Sequence, residues 1–129
     1  TSGIRYHLDL GDDLPWVYVN VNQMKQVLLN LIHNAIQAMP TGGDLTITTR
    51  QRERENHPWV VCYVKDSGVG IPAEMRDRIF EPFFTTRAHQ GGTGLGLSIS
   101  YNIGADHGGM LEVESEPQKG SCFSIWLPI

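Results

Sequence analysis

Apolar residues recur along this chain in two periods, and the period switches several times. Near the start, Tyr6, Leu8 and Leu10 alternate with Arg5, His7 and Asp9, the two-residue repeat of a strand with one buried face. Gly11-Asp12-Asp13 reads as a turn leading through Pro15 into a second extended run over 16–19. From 20 to 39 the repeat becomes helical. Val21, Met24, Val27, Leu28, Leu31, Ile32 and Ala35 fall on one side and are the expected buried face. Asn20 is the expected N-cap, with Gln23 three residues on in a capping-box arrangement, and Pro40 with Gly42-Gly43 stops the helix.

The strand period then returns over 44–50 and 59–65, with the charged stretch 51–58 expected as a solvated hairpin loop. A glycine-rich turn runs from Asp66 to Pro72, and Pro72 sits where proline opens a short helix over 73–80. Residues 81–92 read as irregular. A second long helix spans 94–107, closed by Gly108-Gly109, and a hairpin ends the chain with strands at 110–115 and 121–127 around a turn at 116–120. Hairpins rather than repeated βαβ units predict one α+β domain, with a mixed, mainly antiparallel sheet covered on one face by helices.

Composition narrows the function. The chain has 129 residues, enough for one domain with a real core, and its 40% hydrophobic and 19% charged content is globular. The formal net charge of −4 argues against a nucleic-acid partner. Asn30, His33, Asn34 and Gln37 interrupt the best apolar run, so neither direct membrane insertion nor a secretory leader is expected. Cys62 and Cys122 form no CxxC, and the five histidines are scattered, which disfavours a zinc site and fits buried thiols in a reducing cytoplasm. The chain opens at Thr1 without a methionine and reads as a piece of something longer.

Three clusters carry candidate chemistry. Gln23, Gln26, Asn30, Asn34 and Gln37 follow one another at helical steps and share a stripe. The stripe is either a wet face or a set of neutral, hard oxygen ligands suited to Mg²⁺. Asp66-Ser67-Gly68-Val69-Gly70 is either a capping aspartate before flexible glycines or a carboxylate on a pocket floor that a planar ligand can approach. Gly91-Gly92-Thr93-Gly94-Leu95-Gly96-Leu97 opens a helix and offers N–H groups to phosphate. It is neither a Walker A loop, since Leu97 stands where lysine belongs, nor a Rossmann GxGxxG.

Taken in order, these segments resemble the catalytic domain of sensor histidine kinases. Asn30-Leu31-Ile32-His33-Asn34-Ala35 resembles the N box, Asp66-Ser67-Gly68-Val69-Gly70-Ile71 the G1 box, and Phe80-Glu81-Pro82-Phe83-Phe84 the F box. Gly92-Thr93-Gly94-Leu95-Gly96-Leu97 resembles the G2 box and Gly120-Ser121-Cys122-Phe123 the last glycine box. Phe83 to Arg87 is similar to the nitrogen-regulatory subgroup. The resemblance implies the two-layer α/β sandwich shared with gyrase, Hsp90 and MutL, known as the Bergerat fold.

The same resemblance implies ATP and Mg²⁺ as cofactors and gives each box a role. Asp66 accepts from the adenine amino group and excludes guanine, with Gly68, Gly70, Ile71 and Ser121 around it. Asn34 binds the metal, Asn30 lies alongside near the phosphates, and Gly92, Thr93, Gly94, Leu95, Gly96 and Leu97 supply the phosphate loop. Phe84, Thr85 and Thr86 begin a mobile lid over 84–92, in which Arg87 either pairs with a phosphate or is an ordinary exposed charge. The catalytic set is then Asn30, Asn34 and Arg87. Two residues depart from relatives: Gln37 replaces a common lysine, and Asn30 replaces the glutamate that activates water in the related ATPases. An amide is no general base, so transfer to another nucleophile is favoured over hydrolysis. The implied function is transfer of the γ-phosphoryl group to a histidine on a separate dimerisation domain, absent from this chain, with a response regulator downstream. The isolated domain is expected to be a monomer in the cytoplasm, either free or as the cytoplasmic part of a membrane-anchored sensor. Its rivals are an ATP-sensing module without transfer and a self-sufficient ATPase.

Overall fold

The computed structural model describes residues 3–81 and 96–129. Among these residues five strands form one sheet: β1 (Ile4–Leu10), β2 (Gly43–Arg54), β3 (His57–Asp66), β4 (Met110–Glu116) and β5 (Gly120–Pro128), in the order β1-β2-β3-β5-β4. Only the β1–β2 pair is parallel; the other three are antiparallel. Two helices, α1 (Val21–Gln37) and α2 (Gly96–Asp106), pack on each other and on the central strands. This is the expected mixed sheet with one helical layer.

The register sorts the side chains. Leu45 and Ile47 of β2, Val64 and Asp66 of β3, Ser121, Phe123 and Ile125 of β5, and Leu111, Val113 and Ser115 of β4 share the helix-facing side. Val27, Leu31 and Ala35 of α1 and Ile103 of α2 press onto them and close the core. Leu31, Val27 and Phe123 are at most 1% exposed, and truncating one such residue to alanine costs about 2–5 kcal/mol. That core holds the ends of α1, β3 and β5 in fixed relation, which is what positions the site.

Several expectations need correction. Residues 16–19 keep their alternation, with Val17 and Val19 against the core, but they join no ladder and leave Trp16 and Tyr18 almost wholly exposed. The face of β1 carrying Tyr6, Leu8 and Leu10 is likewise exposed, because this edge strand lies beyond the helical layer. The expected loop over 51–58 is mostly strand, and the turn shrinks to Glu55-Asn56, both at φ near +60° as a tight hairpin requires. Polar alternation hid these strand ends. Their packing comes from cross-strand partners, such as Arg54 on Trp126, that no local pattern shows.

The expected helix over 73–80 reduces to a 3₁₀ turn at Ala73–Met75 followed by further i to i−3 bonds, since only Ile79 is buried there. At the start of α1, Asn20 Oδ1 accepts from the Gln23 N–H at 3.0 Å, as a cap should. The other half of the box is missing: the Asn20 N–H donates to His107 Nε2 at the end of α2. Val21 is exposed rather than buried. No helix among the described residues is long and apolar enough to cross a membrane.

Candidate functional site

Asp66 is the last residue of β3, paired across the sheet with Leu45 on one side and Ser121 on the other. It is 2% exposed. Its Oδ1 accepts from the Gly68 N–H at 2.9 Å and the Ser121 N–H at 3.3 Å. A buried carboxylate is tolerable only with such partners, and here both are backbone donors from different segments. The turn that follows is gripped from two sides. On one, the Val69 N–H donates to the Ala38 carbonyl at the end of α1, and a Cβ at Gly68 would run into that same carbonyl. On the other, the Gln118 N–H donates to the Val69 carbonyl at 2.7 Å, and the Ile71 N–H donates to Ser115 Oγ at 2.8 Å. Gly70, at φ +73°, lies flat against the Glu116 carbonyl. The glycines are therefore demanded by close backbone approach, not by looseness.

The carboxamide stripe of α1 divides in two. Gln23 and Gln26 are exposed, which is the wet-face reading, whereas Asn30, Asn34 and Gln37 are half-buried. Asn30 Nδ2 lies 3.2 Å from the Gly96 carbonyl and 3.2 Å from Ser100 Oγ. A carbonyl only accepts, so the amide nitrogen must face α2, and the carboxamide oxygen is left for a ligand. Asn34, one turn on, makes no side-chain hydrogen bond to another described residue, and its oxygen is equally unspent. Among the described residues no three His, Cys, Asp or Glu side chains converge. Neutral amide oxygens, with ligand phosphates and water completing the shell, fit Mg²⁺ better than they fit a softer metal.

Asn30 thus sits against the first described turn of α2, while Ala38 sits against the glycine-rich turn. Eight residues of helix separate them, about 12 Å. Gly96 and Leu97 are the first described residues of α2. Gly92, Thr93, Gly94 and Leu95 of the expected phosphate loop, with Phe84, Thr85, Thr86 and Arg87 of the expected lid, lie outside the described residues.

Residues that sequence reasoning passed over complete the arrangement. Ser100, fully buried, receives Asn30; Ser115 binds the turn at Ile71. Ser115 carried a signal, a polar residue at an inward position of a strand whose other inward positions are apolar, whereas Ser100 carried none. Asp44 flanks the turn, its N–H donating to Ser67 Oγ, but its carboxylate points to Arg5 and His7, whose hydrogen bonds hold it down to about 2. Cys62 is no reactive thiol, because burial pushes it up to about 11, and burial raises Cys122 as well.

Over residues 19–129 the chain matches the family described as histidine kinase-, DNA gyrase B- and HSP90-like ATPase, and it belongs to that family. Within it, the likeness is to the ATP-binding catalytic domain of sensor histidine kinases. The chain is 42% identical to sporulation kinase E of Bacillus subtilis over 99% of its own length and 17% of that protein. It is 43% identical to the sensor histidine kinase ZraS of Escherichia coli K12 over 98% of its length and 26% of that protein. The chain therefore spans about a sixth to a quarter of these relatives. Among solved structures, the catalytic domain of histidine kinase ThkA superposes with a TM-score of 0.81 at 36% identity, covering 97% of this chain and 78% of that one. Full-length ShkA in complex with AMPPNP gives 0.81 at 29% identity, covering 98% of this chain and 26% of that one.

Proposed function

We propose that this chain binds Mg²⁺-ATP with the adenine on Asp66 and serves the transfer of its γ-phosphoryl group to a histidine of a separate dimerisation domain. The carrying observation is the buried Asp66 carboxylate, fixed by two backbone N–H groups between the glycine-rich turn and β5. A carboxylate acceptor at that point favours a base that presents an amino group there, as adenine does at its six-position, and disfavours the carbonyl oxygen that guanine places at the same position. The oxygen of Asn34 would hold the metal, with that of Asn30 alongside near the phosphates, and the roughly 12 Å of α1 between the two ends of the site suits a nucleotide lying along it. When bound, Mg²⁺ neutralises developing phosphate charge.

Phosphoryl transfer breaks the bond from the γ-phosphorus to its bridging oxygen and forms one to an imidazole nitrogen. A neutral imidazole brings its own lone pair and needs no base. Water does need one, and the Asn30 amide, already turned toward α2, cannot serve. Hydrolysis by this chain alone is therefore expected to be slow. A response regulator as the next acceptor and a cytoplasmic setting follow from the same reading, as does a role for Arg87, Thr86 and the rest of 84–95 around the phosphates.

The test is base selectivity. ADP and ATP should bind this chain about 10⁴-fold more tightly than GDP and GTP in calorimetry. Similar affinities for the two bases would remove Asp66 from the adenine site.

A further inference from the structure

The turn carrying Asp66 is held on its β-hairpin side at two points, by the Gln118 N–H at Val69 and by a serine hydroxyl at Ile71. Ser115 lies at an inward position of β4, opposite Ser121, and is 8% exposed. Its Oγ accepts from the Ile71 N–H at 2.8 Å, lies 2.8 Å from Ser121 Oγ, and is 3.1 Å from the Gly120 carbonyl, to which it can donate. Ser121 in turn gives its N–H to Asp66 Oδ1. Ser115 thus joins the far end of the glycine-rich turn to the strand that anchors the carboxylate at its near end.

We propose that Ser115 is a positioning residue that sets the base selectivity of the nucleotide cleft without itself touching the base. The inference rests on the reading of Asp66 as the adenine acceptor. A serine hydroxyl has one proton and two lone pairs. Ile71 occupies one lone pair, and the proton goes to Gly120 or Ser121. Whichever it is, losing the hydroxyl strips the Ile71 N–H of its acceptor and unties the Ser121 side chain beside Asp66. Val69 stays tethered through Gln118 and Ala38, so the turn survives while its far end drifts. Discrimination between an amino group and a carbonyl oxygen requires the acceptor to sit within hydrogen-bond geometry, which weakens steeply with misalignment. The amino base therefore loses more than the carbonyl base, which gained nothing from Asp66.

Ser124 provides a matched control. It is 7% exposed on the opposite face of the sheet, where its hydroxyl accepts from Trp126 Nε1 at 3.0 Å. Affinities of this chain for ADP, and for GDP by competition, are measured alongside melting temperature. Ser115→Ala should weaken ADP about tenfold and GDP much less, so that the preference shrinks about tenfold. Ser124→Ala should lower the melting temperature and leave the preference alone, and Ser115→Thr, which keeps the hydroxyl, should restore it. Should the alanine variant not fold, Ser115→Cys keeps the volume with a weaker sulfur hydrogen bond and should lose part of the preference. An unmoved preference in Ser115→Ala or Ser115→Cys, or an equal change in Ser124→Ala, overturns the proposal while Asp66 keeps its role. A wild type indifferent to the base overturns the Asp66 reading and Ser115 with it.

Discussion

The two faces of the central strands solve the burial of polar groups in opposite ways. On the face away from the helices, side chains meet side chains. The Arg54 guanidinium stacks 3.7 Å from the centre of the Trp126 ring and forks to Glu112 at 2.7 and 3.1 Å, while Trp59 meets Trp126 edge-on. Together with Arg52 over Tyr63, this layer leaves Val61 fully buried on a face that neither α1 nor α2 covers. Charge is matched to charge within the layer. At the helix-side end of the same strands, a side chain instead meets backbone from distant segments: Gly68 and Ser121 N–H groups on Asp66, with the α1 terminus and the 116–120 turn closing in. Partners drawn from backbone cannot drift with sequence, and they force glycine at 68 and 70. The first arrangement holds a sheet together. The second holds one acceptor in one place, which is what recognition of a base requires.

Asp66→Asn tests this division most severely. The retained amide oxygen still accepts from Gly68 and Ser121, so the fold should persist with little change in melting temperature. Nucleotide affinity should fall about 100-fold or more, because an N–H₂ donor replaces part of an acceptor-only group. Calorimetry with ADP reads the effect. Retained affinity would mean the carboxylate is a turn cap after all. Arg54→Ala is the mirror experiment: it uncovers Trp126 and strands Glu112, and should lower the melting temperature by several degrees with ADP affinity unchanged. A fall in affinity there would show that the two faces are coupled.

How far the sequence foretold these regions follows from the range of the interactions. α1 was legible because Val27, Leu31 and Ala35 carry their period within a few turns, and so was the final hairpin, whose inward residues alternate. Asp66, Asn30 and Asn34 stood out because their residue types recur in a family order. The far-face layer was not legible. Arg52, Arg54 and His57 look like a charged loop until Tyr63, Trp126 and Glu112 arrive from other strands. Ser100 was missed for the same reason, its partner lying 70 residues away; Ser115 stood out only as an inward polar residue, and its partner, 44 residues away, showed in no local pattern. Local pattern announces elements and motif residues, and long-range pairing supplies what holds them.

A smaller effect separates the faces further. Trp59 Nε1 is buried with no hydrogen-bond partner among the described residues, so it is an unmet donor of the far-face layer there. Trp59→Phe removes that donor and keeps an aromatic ring against Trp126. It should change stability by no more than about 1 kcal/mol in either direction, against about 3–5 for Trp59→Ala, when measured by urea unfolding. A large loss in the phenylalanine variant would mean that a hydrogen bond forms there in solution.

The smallest effect lies at the sheet edge beside the turn. Hydrogen bonds from Arg5 and then His7 hold the Asp44 carboxyl down to about 2, from an ordinary 3.8. A carboxyl lowered on folding stabilises the fold above its unfolded value, and that contribution fades as pH falls from about 4 through about 2. Arg5 and Asp44 are 74% and 39% exposed, so solvent and salt screen most of the gain. Asp44→Asn should therefore be slightly less stable than wild type at neutral pH, with the gap closing toward pH 2 and narrowing in high salt. Paired urea titrations across that range check it. The Asp44 N–H still reaches Ser67 in the variant, so ADP affinity at neutral pH should not change. If it does, the charge at Asp44 reaches into the site, and the edge of the sheet belongs to the recognition end of the molecule rather than to its structural one.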